Sequence, residues 1–344
     1  MPNSINFTEL LNMSSWNIAV IGANGQVGRS LIEQLEKSSI TIDQLDLIGS
    51  DNSEGEIIRF AGKNLTIKHI DDMEWSNYHL AFFVANQDVT NKYAQLVADS
   101  GCIVLDSTGA FALDNSIPLV LPKVNDFLLN DYRDKNIIAV ANPIVSQVLR
   151  CLTSLTDLEQ LDQLHITNLI SASCYGQKGI NELAGQSARL LNGLPAENSF
   201  FTKQLAFNVL LDGFVDDELI VEQIRRITGN YQLSITIDSI SVPVFYGLTQ
   251  TVSFTSAEPY GLGQYDVSLF EKNGIELLTS DYPTPVTVIN NEQSSHQPIM
   301  LANVHHSYGF QQQIQFMSVS DNIRYLGGKI LLETAESLLT NYVD

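Results

Sequence analysis

The stretch Ile18-Ala-Val-Ile-Gly-Ala-Asn-Gly-Gln-Val-Gly28 constrains this chain more than any other. Its apolar run, Ile18 to Ile21, suits a strand buried on both faces of a parallel sheet. Gly22, Gly25 and Gly28 follow at three-residue spacing, and Val27, Leu31, Ile32 and Leu35 then recur at helical intervals. A strand, a tight turn and a helix in that order point the first helical amides at an anion. Glycines let backbone come close to a pyrophosphate, and the helix N-terminus supplies partial positive charge. The spacing is GxxGxxG rather than GxGxxG, so its weight comes from the strand and helix that flank it. The reading is a dinucleotide held by Gly22, Asn24, Gly25, Gln26, Val27 and Gly28. The alternative is an ordinary glycine-rich turn with no ligand.

A second strand, Leu45–Ile48, ends in Gly49-Ser50-Asp51-Asn52. An acid roughly 20 residues past the glycines is placed to take the adenine ribose hydroxyls, which singles out Asp51 with Ser50 beside it; a solvated loop aspartate is the competing reading. Glu56–Ile67 reads as a hairpin turning at Ala61–Asn64. His79–Ala85, Gly101–Asp106 and Asn136–Val140 read as buried strands, and Asn91–Ser100 as a helix. Strands alternating with helices predict an α/β domain with a Rossmann-type, doubly wound parallel sheet.

From about Asn142 the pattern changes. Leu164–Ser173, Ser234–Tyr246, Gln250–Thr255, Met300–His305 and Gln313–Val319 are β-rich and often alternating. They predict an α+β domain built on a large mixed, mostly antiparallel sheet. Helices over Ile180–Leu191 and Glu218–Thr228 cover one side, and a second subunit the other. Asn322–Tyr342 reads as a terminal helix and Ile289–Gln297 as a mobile loop. The expected division is residues 1–141 plus 321–344 against 142–320.

The net charge of −21 over 344 residues repels nucleic acid and anionic lipid. No basic segment followed by an apolar one opens the chain, and no apolar run approaches 18 residues, so neither export nor a membrane span is expected. Three unclustered cysteines, Cys102, Cys151 and Cys174, suit reduced thiols in a cytoplasmic protein. Neighbouring His305 and His306 point to opposite faces of a strand, so no shared metal site is expected. His69, His79, His165 and His296 are scattered and carry no site signal.

Several short segments carry a family resemblance, in order, along almost the whole chain. Gly22–Gly28 is similar to Gly-Ala-Thr-Gly-Ala-Val-Gly, Leu119–Asn125 to Leu-Val-Val-Pro-Glu-Val-Asn, and Asn142-Pro143 to the opening of Asn-Pro-Asn-Cys-Ser/Thr-Thr. Gly179–Leu183, Ala206–Val209, Val242–Gly247, Tyr282–Pro285 and Ser320–Arg324 have counterparts too. The chain thus resembles the aspartate-semialdehyde dehydrogenase family, and within it the divergent Usg group. The resemblance implies a homodimer formed through the second sheet, and a nicotinamide cofactor. Active members attack an aldehyde or acyl phosphate with a cysteine thiolate.

Carried over residue by residue, that cysteine falls on Val145. The active-site glutamine falls on Ile170, the acid/base histidine on Leu248 and the substrate-gripping arginine on Ser241. A second anion-binding arginine falls on Ala112, and a substrate-side lysine on Leu219. Nucleophile, proton transfer and charge recognition are each removed. Cys151 cannot stand in, because six helical positions displace it by about 9 Å along the axis. Ser146 reads as a helix N-cap. Cys174, where the family carries a Ser-Gly-Ala-Gly turn, is the weak catalytic candidate. The cofactor reading is weak NAD or NADP binding with NAD favoured: Asp51 repels a 2′-phosphate, and the arginine that would read one falls on Asn52. Asn322, on the family's cofactor side, is kept, while Val84–Gln87 replaces a Ser-Ala-Gly-Gly turn and crowds the nicotinamide end. The resulting expectation is a family member without phosphorylating semialdehyde dehydrogenase activity. The alternatives are an oxidoreductase acting on an uncharged substrate, and a non-catalytic regulator that senses a dinucleotide or binds a protein.

Overall fold

The apolar run Ile18–Ile21 lies at the centre of a parallel sheet in the computed structural model, which describes residues 15–211, 215–256, 267–290 and 298–343. The chain divides into two compact units, Met1–Ala141 with Gly327–Asp344, and Asn142–Leu326.

In the first unit, β1 (Trp16–Ile21) leads through α1 (Gln26–Leu35) to β2 (Ile42–Gly49). A small hairpin follows, β3 (Ile57–Phe60) and β4 (Lys63–Thr66), then β5 (Lys68–His69), β6 (Leu80–Phe83), α2 (Gln87–Asp99), β7 (Ile103–Asp106), β8 (Leu119–Val120) and β9 (Ile137–Val140). The sheet order is β5-β2-β1-β6-β7-β9-β8, with every pairing parallel. Ile18, Ala19, Val20, Phe82 and Phe83 are fully buried, as a sheet covered on both faces requires. The hairpin turns on two residues only, Ala61 and Gly62, both with positive φ. α2 starts four residues before the predicted Asn91, because the Asn86 side chain accepts from Val89 N and caps it. The C-terminal helix Ile330–Asn341 belongs to this unit: Lys123 pairs with Glu333 at 3.0 Å, and Gly328 lies close against Ser30 and Gln34 of α1.

In the second unit, α3 (Pro143–Thr153) precedes β10 (Leu161–Ile170), α4 (Gly176–Leu191), β11 (Leu210–Leu211), α5 (Asp217–Thr228), β12 (Ser234–Ser241), β13 (Leu248–Ser256), β14 (Ile275–Leu278), β15 (Ile299–Ser307) and β16 (Phe310–Ser320). The order β11-β12-β10-β13-β16-β15-β14 gives a mixed sheet; among the described residues only β12–β10 and β15–β14 pair in parallel. β10 stops at Ile170 instead of Ser173, where Ala172 N and Ser173 N turn to the carbonyls of Val244 and Phe245.

Several expectations are corrected. Ser146 is not an N-cap: α3 begins earlier, at Pro143, Asn142 Oδ1 accepts from Ile144 N at 2.9 Å, and Ser146 is fully buried within the helix. The chain returns to the first unit at Gly327, not at Asp321. Asn322 Oδ1 accepts from Ser173 Oγ and Gly247 N, and Tyr325 accepts from Arg150, which ties these residues to the second unit. The terminal helix starts with a π-type turn at Arg324–Lys329, after Asp321 accepts from the amides of Ile323 and Arg324. Of the loop expected at Ile289–Gln297, residues 291–297 lie outside the described residues, as does His296; Ile289 closes a short helix capped by Asn290.

Candidate functional site

A cleft of about 610 Å³ opens at the C-terminal ends of β1, β2 and β6, where the strand order reverses. This is the place where open α/β sheets bind ligands. Gly22, Asn24 and Gly25 line it from β1, Ser50 and Asp51 from β2, and Val84, Ala85 and Asn86 from β6. Gln26, Val27 and Gly28 form the first turn of α1 behind the loop. Two glycines are required by contact. Gly22 has φ +95°, and a Cβ there would lie 2.7 Å from Ala85 N; at Gly28 a Cβ would lie 2.3 Å from Gly22 O. Gly25 caps α1 without a side chain, and no acidic residue stands in the first turn of that helix. The loop is therefore a backbone cradle at a helix N-terminus, which fits the phosphates of a dinucleotide.

On the opposite rim, His69 Nε2 lies 2.8 Å from Asp51 Oδ1. His69, Lys92 and Tyr93 also line the cleft, although nothing in their sequence spacing marks them. β5, too short to read from periodicity, brings His69 beside the end of β2. Asn86 lines the cleft with its side-chain oxygen engaged in capping α2. Gln87 Nε2 turns away to Thr108 O at 3.0 Å. Ala112, in the loop after β7, is fully buried. The Asp106 carboxylate holds that loop, accepting from Thr108 N, Thr108 Oγ1 and Phe111 N, and burial pushes its pKa up against those hydrogen bonds.

In the second unit, three of the positions singled out by the family resemblance meet in one row. Ile170 of β10 pairs with Ser241 of β12 on one side and Leu248 of β13 on the other, and Leu248 pairs in turn with Ser320 of β16. Neighbouring strands lie about 5 Å apart, which sets these residues side by side across the sheet. All four residues are buried. α3 is pinned over the same strands: Gln147 Nε2 donates to Ser318 Oγ at 2.9 Å, and Gln250 Nε2 donates to Ile144 O at 3.0 Å. Val145, next to Ile144, is fully buried.

The Ser241 hydroxyl lies 2.6 Å from the Tyr175 hydroxyl, and the Tyr175 ring packs on Phe200 and Phe201. Among the described residues, Ser320 Oγ is buried without a hydrogen-bond partner. Of the three cysteine thiols, Cys102 and Cys151 are buried, and burial pushes both up to about 12. Cys174 is exposed, with Sγ 3.8 Å from Ser171 Oγ. Asn322 sits in this unit, its side-chain oxygen taken by Ser173 and Gly247. Among the described residues no group of three His, Cys, Asp or Glu side chains could hold a metal ion, and no helix is long and apolar enough to cross a membrane.

Two family models match the chain: semialdehyde dehydrogenase, NAD binding domain, over residues 17–132, and semialdehyde dehydrogenase, dimerisation domain, over residues 152–325. An aspartate-semialdehyde dehydrogenase of Shewanella violacea is 35% identical over 95% of this chain and 98% of its own length. A USG-1 protein homolog of Pseudomonas aeruginosa is 30% identical over 95% of this chain and 98% of its own. The crystal structure of aspartate semialdehyde dehydrogenase II from Vibrio cholerae superimposes with a TM-score of 0.89 at 32% identity, covering 96% of this chain and all of that one.

Proposed function

The chain belongs to the semialdehyde dehydrogenase family, and on that premise we propose that it keeps a nucleotide cleft but has lost thiol-dependent phosphorylating chemistry. The observation that carries the reading is the buried row Ser241–Ile170–Leu248, together with the complete burial of Val145. Those positions hold a hydroxyl and three hydrocarbons, so they supply no thiolate, no imidazole to move a proton and no positive charge to hold a carboxylate.

In the first unit, the Gly22–Gly28 loop and the N-terminus of α1 would hold the pyrophosphate, and Asp51 with Ser50 the adenine ribose. Bound there, a nicotinamide dinucleotide supplies hydride chemistry. Asp51 favours NAD over NADP, because a carboxylate repels a 2′-phosphate. The match to a dimerisation domain supports a homodimer.

The test is turnover of L-aspartate semialdehyde with phosphate and NADP. Loss of the nucleophile alone lowers turnover on the order of a millionfold, so no phosphate-dependent reduction is expected. Measurable reduction overturns the reading.

A second reading rests on Cys174, the exposed thiol of the three. It makes the protein an oxidoreductase acting on an uncharged substrate, and it requires fast, pH-dependent alkylation of Cys174 by iodoacetamide. A regulator that senses a dinucleotide or binds a protein requires the cleft alone.

A further inference from the structure

The rim of the cleft carries a chain of side-chain contacts that the glycine loop does not explain. His69 Nδ1 accepts from Asp71 N at 3.3 Å, where His69 caps the 3₁₀ turn Ile70–Asp72. That bond leaves the imidazole proton on Nε2, which faces Asp51 Oδ1 at 2.8 Å. The turn itself is anchored to α2: Tyr93 OH donates to Asp71 Oδ1 at 2.9 Å, and Lys92 Nζ donates to Tyr93 OH at 2.7 Å. The Asp51 side chain is 88% exposed, so without this contact it would sample many positions at the end of β2. His69 is 27% exposed and held from behind. One carboxylate oxygen of Asp51 is thereby engaged by His69. Asp51 itself lines the cleft, as do Asp88 and Lys92.

Building on the dinucleotide reading above, we propose that His69 is a positioning residue that clamps Asp51 and so makes the cleft select a free ribose 2′-hydroxyl over a 2′-phosphate. A carboxylate accepts hydrogen bonds from a ribose diol and repels a phosphate. Fixing it in place removes the ordering cost that a mobile carboxylate would charge on binding. Discrimination therefore depends on both residues, and His69 acts only through Asp51.

Calorimetric titration of the full chain with NAD⁺ and with NADP⁺ tests this. Wild type is expected to bind NAD⁺ more tightly. His69→Ala weakens NAD⁺ by roughly 5–10-fold, the scale of one charge-assisted hydrogen bond, and leaves NADP⁺ nearly unchanged. His69→Gln, whose amide N–H can still donate to Asp51, recovers most of the lost NAD⁺ affinity. Asp51→Asn, at an exposed position that does not threaten folding, abolishes the preference, and adding His69→Ala to it changes nothing further. Binding by wild type with an unaltered NAD⁺/NADP⁺ ratio in His69→Ala, or an additive double variant, overturns the inference alone. Absence of heat with either nucleotide on wild type overturns the dinucleotide reading and the inference with it.

Discussion

At Val145 the chain buries an isopropyl group completely in the early turns of α3, where the family resemblance places a thiolate. Two effects compete over a thiol introduced there. The helix N-terminus favours the thiolate by at most about 2 kcal/mol. Burial of the kind that holds Cys102 and Cys151 near 12 opposes it, and is the larger effect. Val145→Cys is therefore expected to stay protonated and unlabelled by iodoacetamide at pH 8, with Cys174 the residue modified. It should confer no semialdehyde reduction. Peptide mapping by mass spectrometry reads the first outcome and a coupled absorbance assay the second; fast labelling at position 145 would show that the site is more open than its burial. The identities of Val145, Ile170, Ser241 and Leu248 are legible in the sequence. That all three strand positions fall in one row is not, because it depends on the register of β12, β10 and β13.

At the scale of elements, α4 controls the irregular segment that follows it. Glu182 accepts from Ser199 N at 2.9 Å, Ser199 Oγ at 2.7 Å, Phe201 N at 3.0 Å, and also Phe200 N. One turn on, Gln186 Oε1 accepts from Leu205 N and Ala206 N. Burial pushes the Glu182 carboxyl up, but the hydrogen bonds outweigh it and hold the pKa below the usual carboxylate range. With the folded pKa below the unfolded one, this contribution is complete above the unfolded value of about 4.3 and is lost as pH falls through the folded value. Glu182→Gln turns an N–H₂ group toward backbone donors and should cost about 1.5–3 kcal/mol at pH 7. Hydrogen exchange at the Phe200 and Phe201 amides should accelerate, while exchange in β1 stays unchanged. The periodicity of α4 announces the helix. Its role as a clamp is invisible there, since the groups it holds are main-chain amides 17 to 20 residues away.

For the whole molecule, charge and cleft act in opposite directions on an anionic ligand. The net charge of −21 repels a dinucleotide at long range, whereas the α1 N-terminus attracts it locally. Salt screens the long-range term over about 8 Å at physiological strength and affects the enclosed contact less. Affinity for NAD⁺ should accordingly hold or rise between 20 and 150 mM salt; a steep fall would place the ligand on surface cations instead. At a hundredfold excess over Kd, NAD⁺ should add about 2.7 kcal/mol to stability, visible as a higher unfolding temperature. Light scattering after size exclusion should give twice the mass of the chain, as the proposed homodimer requires.

The amino-acid sequence determined the parallel sheet, the glycine loop, the mixed second sheet and the residue types at positions 145, 170, 241 and 248. Each of these follows from residue type and local spacing, which act within one strand or one helical turn. Tertiary structure decided which distant side chains became neighbours: His69 against Asp51, Tyr175 against Ser241, and Asn322 between Ser173 and Gly247. Such pairs arise from strand register and from turns that bring segments together across long loops. Their energies therefore exist only once the remainder of the chain has packed.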